Sequence, residues 1–202
     1  MEEDYKKQIR GFINFIVPIS EKDWSEFSWR LHYKEYAKND ILLRAGETEN
    51  FMYFMVSGIS RIFQMKNGIE YTLRFNFPVS VFNSYASFIS RKPSLINVQA
   101  VTDLRAFRMS YADMESLYDA APSADRIGRK MLELLYLQRE LKELEMNSKT
   151  AEDYYCELIK VNKNLTEEIP QKYLASYLGI TPESLSRIKR KISDRLNIPE
   201  NK

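Results

Sequence analysis

Apolar residues recur at helical spacing at the start of the chain. Ile9, Phe12, Ile13 and Ile16 fall three or four apart, which predicts a helical stretch across Glu2–Arg30, broken at Pro18. Ser20 then predicts the cap of a second short helix that carries Trp24 and Phe27. From Tyr33 to about Met109 the pattern shortens to that of strands. Ile41-Leu42-Leu43 runs into a turn at Ala45-Gly46-Glu47, and Phe51 to Val56 stops at Ser57-Gly58. Ile59 to Met65 reaches Lys66-Asn67-Gly68, and Asn-Gly between two strand-like runs is the strongest short hairpin signal. Tyr71, Leu73, Phe75 and Phe77 are expected on one face as far as Pro78, and Asn97–Thr102 and Leu104–Met109 add two strands. Many short strands with frequent turns predict an antiparallel roll or jelly roll.

Helical periodicity returns at Ser110, which is placed to cap a short helix ending near Ala121-Pro122. Ser123 opens a long helix to about Asn147 with Ile127, Met131, Leu134, Leu135, Gln138, Leu141 and Leu144 on one wide stripe. Such a stripe packs on its own domain or meets a second copy. Its length, after a completed β domain, favours the second copy. Three further helices are expected: Ala151–Val161, Pro170–Leu178 and Thr181 to about Leu196.

The chemistry lies in Gln171–Ile192. Ala175 is small where two helices approach, Gly179 can end a helix left-handed, Thr181 can cap the next, and Pro182 suits its first position. Leu185, Ile188 and Ile192 form one side of that last helix and are expected against Leu174 and Leu178. Glu183, Ser186, Arg187 and Arg190 form the other. Arg187 has the fork for guanine O6 and N7, Glu183 can accept from cytosine N4, and Ser186 suits a base edge or methyl group. Thr181, Lys189 and Lys191 flank this face and are candidates for phosphate contacts.

Net charge is only +2, but six basic residues (Lys172, Arg187, Lys189, Arg190, Lys191, Arg195) stand against Glu183 and Asp194 between Pro170 and Arg195. A single cysteine, Cys156, excludes a disulfide within the chain and a cysteine-held cluster, and it reads as a small apolar group. One histidine, His32, cannot build the metal site of a cupin-type β-roll enzyme, and it reads as structural. No nucleophile–base pair or phosphate-cradling glycine loop is present. No catalytic or metal-ligating residue is expected, and the protein is not expected to be an enzyme. The start MEEDYKKQIR has no apolar signal core and no run approaches a membrane span, so a cytoplasmic protein without a membrane partner is expected.

The chain resembles the bacterial Crp/Fnr superfamily of transcription regulators along nearly its whole length. Two stretches carry the resemblance. One is Ile41-Leu42 through Ala45-Gly46-Glu47 to Tyr53-Phe54, Gly58 and Arg61, which is similar to the early strands of a cyclic-nucleotide-binding fold. The other is Gly179–Arg187, where Glu183, Ser186 and Arg187 match the Glu-x-x-Ser-Arg of the Fnr branch. The resemblance implies an α+β fold with a sensor β-roll over 1–122, a dimerisation helix over 123–147 and a helix-turn-helix DNA-binding domain over 148–202. It implies that Glu183 and Arg187 read a TGA-containing half-site. It also implies double-stranded DNA, a second copy and RNA polymerase as partners. Pro182 stands where the Crp branch has Arg, and one base contact of that branch is missing. The wing that often follows the recognition helix is expected to be absent or reduced.

The sensor departs from the family pattern. Cyclic-AMP-binding members carry Phe-Gly-Glu-Leu, with the Glu on the ribose hydroxyl, and a following Arg on the phosphate. Here the run is Phe82-Asn83-Ser84-Tyr85, and the Arg position falls on Ser94. With Ser84 and Ser94 in place of both charged ligands, cyclic AMP is not expected to bind tightly. Arg91 and Lys92 stand near enough in sequence to replace the charge. The effector is left unidentified, with Phe82, Asn83, Ser84, Tyr85, Arg91 and Ser94 as its candidate pocket. The competing expectation is a small-molecule- or protein-binding β-roll whose DNA-binding domain is vestigial.

Overall fold

The computed structural model describes residues 1–146, 149–161 and 167–196. Two helices, α1 (Glu2–Ile16) and α2 (Glu21–Trp29), precede the strands. The Ser20 hydroxyl caps α2 by accepting from the Asp23 N–H at 3.1 Å. Eight strands follow: β1 (His32–Tyr36), β2 (Ile41–Leu43), β3 (Phe51–Ser57), β4 (Ser60–Lys66), β5 (Ile69–Asn76), β6 (Ser80–Phe82), β7 (Asn97–Ala100) and β8 (Leu104–Ser110). A short helix, α3 (Tyr85–Ser90), interrupts them between β6 and β7. Every pairing is antiparallel, and the strands form two four-stranded sheets ordered β1-β8-β3-β6 and β2-β7-β4-β5.

The period-2 geometry of a strand divides β3 and β8 between two cores. Tyr53, Met55, Leu104 and Ala106 point between the sheets and meet Leu43, Phe82 and Val98. Met52, Phe54, Phe107 and Met109 point outward and are covered by Ile9 and Ile13 of α1 and Phe27 of α2. Leu117 and Ile127 from the following helices complete that cover. A strand buried on both faces shows no polar alternation, which is why Phe51–Val56 reads as an unbroken apolar run. Phe107 sits at the centre of the outer cluster, where truncation to Ala costs about 3–5 kcal/mol.

The β4–β5 hairpin turns at Asn67-Gly68, with φ of 53° and 76°, values that a two-residue turn requires. One expectation fails in this hairpin. A register shift between Ile62 and Phe63 means that Tyr71 and Leu73 remain exposed while Phe75 is buried, so the alternating residues do not share one environment. His32 opens β1 with an exposed side chain, its Nε2 3.8 Å from the Asp113 carboxylate. Strand β6 and helix α3 are too short to have shown a period.

After β8, the Ser110–Asp113 capping box starts α4 (Tyr111–Ala120). The long helix α5 (Ala124–Met146) follows. Ile127 is buried, and Met131 packs at the edge of the outer cluster. Beyond them Leu134, Leu141 and Leu144 are exposed, while Leu135 is half-buried. The side chain of Gln138 and residues 147–148 lie outside the described residues. Helices α6 (Ala151–Val161), α7 (Gln171–Tyr177) and α8 (Pro182–Leu196) complete the described chain.

The last three helices share a core with the β-roll. Tyr155, Ile169, Tyr173, Leu174, Leu185 and Ile192 form one cluster with Ile59, Phe75 and Val101 of the roll. Cys156 lies half-buried at its edge. Helix α7 packs on β5, and the Ser176 hydroxyl donates to the Glu70 carbonyl and accepts from the Thr72 N–H, both at 2.9 Å. Arg61 of β4, only 1% exposed, lies between the rings of Phe63 and Tyr173 at 4.0 and 3.4 Å. Its guanidinium donates to Gln99, Thr72 and Glu70, which makes this buried charge tolerable.

Candidate nucleic-acid interface and sensor cassette

The helix-turn-helix is fixed by local backbone chemistry. Gly179 takes φ 68° and ends α7, and the Ile180 N–H returns to the Ala175 carbonyl at 3.0 Å. The Thr181 hydroxyl accepts the Ser184 N–H at 3.2 Å, and Pro182 opens α8. Ala175 is buried where the two helices meet. Leu185 and Ile192 are buried beneath α8, and Ile188 is partly so.

Thr181, Glu183, Ser186, Arg187, Arg190 and Lys191 all stand exposed. Glu183's own N–H, followed by the Thr181 hydroxyl, holds the Glu183 carboxyl below the usual range and keeps it an acceptor at neutral pH. Arg187 lies along the helix, one guanidinium nitrogen donating to the Ser184 hydroxyl at 3.1 Å. Lys191 pairs with Glu152 of α6 at 2.6 Å. Lys189 is half-buried over the Tyr155 ring, and burial lowers the pKa of its ammonium. Among the described residues, the face therefore has an unpaired rim at Arg190 and an engaged one at Lys189 and Lys191.

Sequence reasoning passed over Gln171, at the start of α7. Its amide N–H group donates to the Ser186 hydroxyl at 2.5 Å and the Pro182 carbonyl at 3.0 Å. The Ser186 hydroxyl donates to the same carbonyl at 3.1 Å. Gln171 thus holds Ser186 in place and brings an amide from the first helix to the exposed face of α8. No periodicity marks such a residue; only the tight turn brings it near.

The cassette residues come together differently. Phe82 is buried in the roll core, while Asn83, Ser84 and Ser94 are buried beside it and Tyr85 starts α3 half-buried. The hydroxyls of Ser84 and Ser94 bond to one another at 2.8 Å, joining the two positions read from the sequence as replacements for charged ligands. Arg91 turns away from both. Its guanidinium donates to the carbonyl of Glu49 at 2.7 Å and to Asn50 at 2.5 Å, and lies over the Tyr111 ring. Asn83 donates to the Phe51 carbonyl at 3.2 Å.

Glu49, which sequence reasoning also missed, closes the network. It is 1% exposed, and its carboxylate accepts the Phe51 N–H at 3.0 Å and the Ser84 N–H at 3.3 Å. Burial raises its pKa to about 7 against the opposing pull of those backbone donors and Arg91. Arg61 was read only as part of the resemblance, and its contacts with Glu70, Gln99 and Tyr173 were not foreseen. A charged residue at an inward position of an apolar run was its signal.

The comparisons with known proteins agree on the roll. Residues 33–121 match the family model of the cyclic nucleotide-binding domain. Solved structures extend the likeness over the helices. The c-di-GMP-responsive global regulator CLP of Xanthomonas campestris is 16% identical, with a TM-score of 0.67 over 91% of this chain and 96% of that one. This is a Crp/Fnr-type cyclic-nucleotide-binding fold. FixK2 of Bradyrhizobium japonicum shares the Crp/Fnr-type architecture at 20% identity, with a TM-score of 0.66 over 82% of this chain and 85% of that one. The catabolite activator protein of Thermus thermophilus covers 93% of this chain and 90% of its own at 16% identity and a TM-score of 0.56. No curated protein sequence matches the chain. At these identities the structural matches establish the Crp/Fnr-type fold. Among the described residues no cluster of His, Cys, Asp and Glu could hold a metal ion, and no helix is long and apolar enough to cross a membrane.

Proposed function

We propose that this protein is a transcription regulator that binds an inverted-repeat DNA site as a homodimer. The observation that carries the reading is the division of α8. Leu185 and Ile192 anchor the helix, while Glu183, Ser186, Arg187 and Arg190 face solvent. Such a face suits a major groove, with Arg187 on guanine, Glu183 on cytosine N4 and the Gln171-braced Ser186 at a neighbouring base. Thr181, Lys189 and Lys191 serve the phosphates, and Lys191 exchanges Glu152 for DNA.

The second copy is asked for by α5. Leu134, Leu141 and Leu144 are exposed on a helix anchored at its start by the buried Ala124 and Ile127, and Leu144 is 65% exposed. A symmetric copy would cover this stripe with the same stripe. The division of labour is then sensor 1–122, dimer helix 123–147 and DNA-binding domain 148–202. The likeness to bacterial regulators supports this reading, and it makes RNA polymerase the machinery the dimer acts beside, in the cytoplasm. The protein binds rather than catalyses. Cyclic AMP is not its effector, because Ser84 and Ser94 bond to each other where two charged ligands are needed. Calorimetry showing micromolar cyclic AMP binding would refute that.

The test is selection of bound duplexes from a random pool, with and without an extract of small metabolites. An inverted repeat with half-sites about one helical turn apart is expected. Failure to select any site at moderate salt would point instead to a small-molecule- or protein-binding roll with a vestigial DNA-binding domain.

A further inference from the structure

The roll has a cavity that the cassette does not touch. It lies at the mouth between the sheets, has a volume of about 510 Å³, and is lined by residues of β1, β2, β3, β8 and the β2–β3 loop. None of the residues 82–95 contributes to it. Its volume falls within the range of about 300–1,000 Å³ usual for small-molecule sites.

The chemistry of the walls is selective. Ile41, Leu42 and Leu43 supply an apolar side. Tyr36 and Tyr53 meet edge to face at 6.3 Å and bring phenols to the opposite side. Arg108 lies with its guanidinium 4.3 Å from the Phe51 ring centre. Arg108 makes no ion pair among the described residues. Glu47 lines the cavity too, its carboxylate accepting the Arg44 N–H at 2.9 Å, and so does Glu49, which is not the counter-ion of Arg108. Its oxygens are taken by the N–H groups of Phe51 and Ser84. A guanidinium stacked on a ring, beside phenols and facing an apolar wall, recognises a flat molecule with a carboxylate.

We propose that the effector site of this protein is this cavity at the mouth of the roll, and that it takes a compact aromatic carboxylate held by Arg108. Glu49 forms the wall between this site and the cassette, and its bond to the Ser84 N–H connects the two. The inference rests on the reading of the chain as an effector-controlled regulator, but its test does not involve DNA.

The test uses benzoate as probe and the amide NMR spectrum of the full chain. Benzoate at millimolar concentration is expected to move the amides of Leu42, Glu49–Phe51 and Arg108, and benzyl alcohol, which keeps the ring without the charge, to move them far less. Arg108→Gln should weaken benzoate about tenfold, the loss of one charge-assisted contact. Leu42→Trp, which fills the cavity from its rim, should abolish the shifts in a chain whose remaining amides and thermal unfolding are unchanged. The proposal is overturned if benzoate leaves these amides in place, if both variants bind it like the wild type, or if cyclic AMP moves them in preference to benzoate. Success in duplex selection with failure here would remove the effector site and leave the DNA reading standing.

Discussion

The cassette and helix α8 are built from the same residue types, and they use them in opposite ways. In the cassette, Glu49, Ser84, Ser94 and Arg91 find their partners within the chain. On α8, Glu183, Ser186 and Arg187 are exposed, and among the described residues Arg187 hydrogen-bonds only within its own helix. The difference teaches where a ligand must supply the missing interactions. A buried polar network completed by its own members has little to offer an anion, because any newcomer must break bonds already made in low dielectric. An exposed Arg over an apolar anchor gives up only water when it meets a base edge.

The comparison can be broken most directly at Arg61, the residue that ties the roll to helix α7. Arg61→Ala leaves Glu70, Gln99 and Thr72 without their donor and removes the plane between Phe63 and Tyr173. A loss of about 3 kcal/mol in denaturant unfolding is expected, at the low end for a broken buried pair because Glu70 is partly exposed. A loss below about 1 kcal/mol would show that the helical domain is only loosely attached.

The next test concerns the closed network. Glu49 is pushed up to about 7 by burial, above its value in an unfolded chain, with Arg91 and the Tyr53 phenol as the facing groups. Its contribution is complete at pH below the unfolded value and is lost as pH rises through about 7. Wild-type stability should therefore fall by about 1–3 kcal/mol relative to Glu49→Gln between about pH 5 and pH 8. Parallel pH curves for the two proteins would show that Glu49 does not titrate in this range.

On the exposed side, Arg187→Ala should cost about 1–3 kcal/mol of affinity for the selected site and relax preference at one base pair, with unfolding unchanged. Unaltered site preference would remove Arg187 from the reading face. The smallest effect is expected at Lys191. Lys191→Ala should weaken all duplexes alike and reduce the salt slope by about one. Its existing pair with Glu152 offsets part of what the phosphate contact contributes. A sequence-dependent loss would make it a base contact instead.

The legibility of the molecule followed the range of the forces. The helix caps at Ser20, Ser110 and Thr181, the Asn67-Gly68 turn and the two faces of α8 rest on neighbours within four residues, and all were readable from spacing. The bulge that separates Tyr71 and Leu73 from Phe75 was not, because it depends on register with β4.

The amino-acid order alone determined the succession of roll, long helix and helix-turn-helix, since periodicity and capping are local and survive without knowledge of contacts. It also put Ser84 and Ser94 where the resemblance calls for a charged pair. Only the tertiary structure decided which polar groups meet. Glu49 meets Ser84 across 35 positions of chain, Ser176 meets Glu70 across 106, and Tyr173 closes over Arg61 from another domain. Such partners are chosen by the packing of apolar surfaces far apart in sequence, and no local pattern records which polar groups that packing will bring face to face.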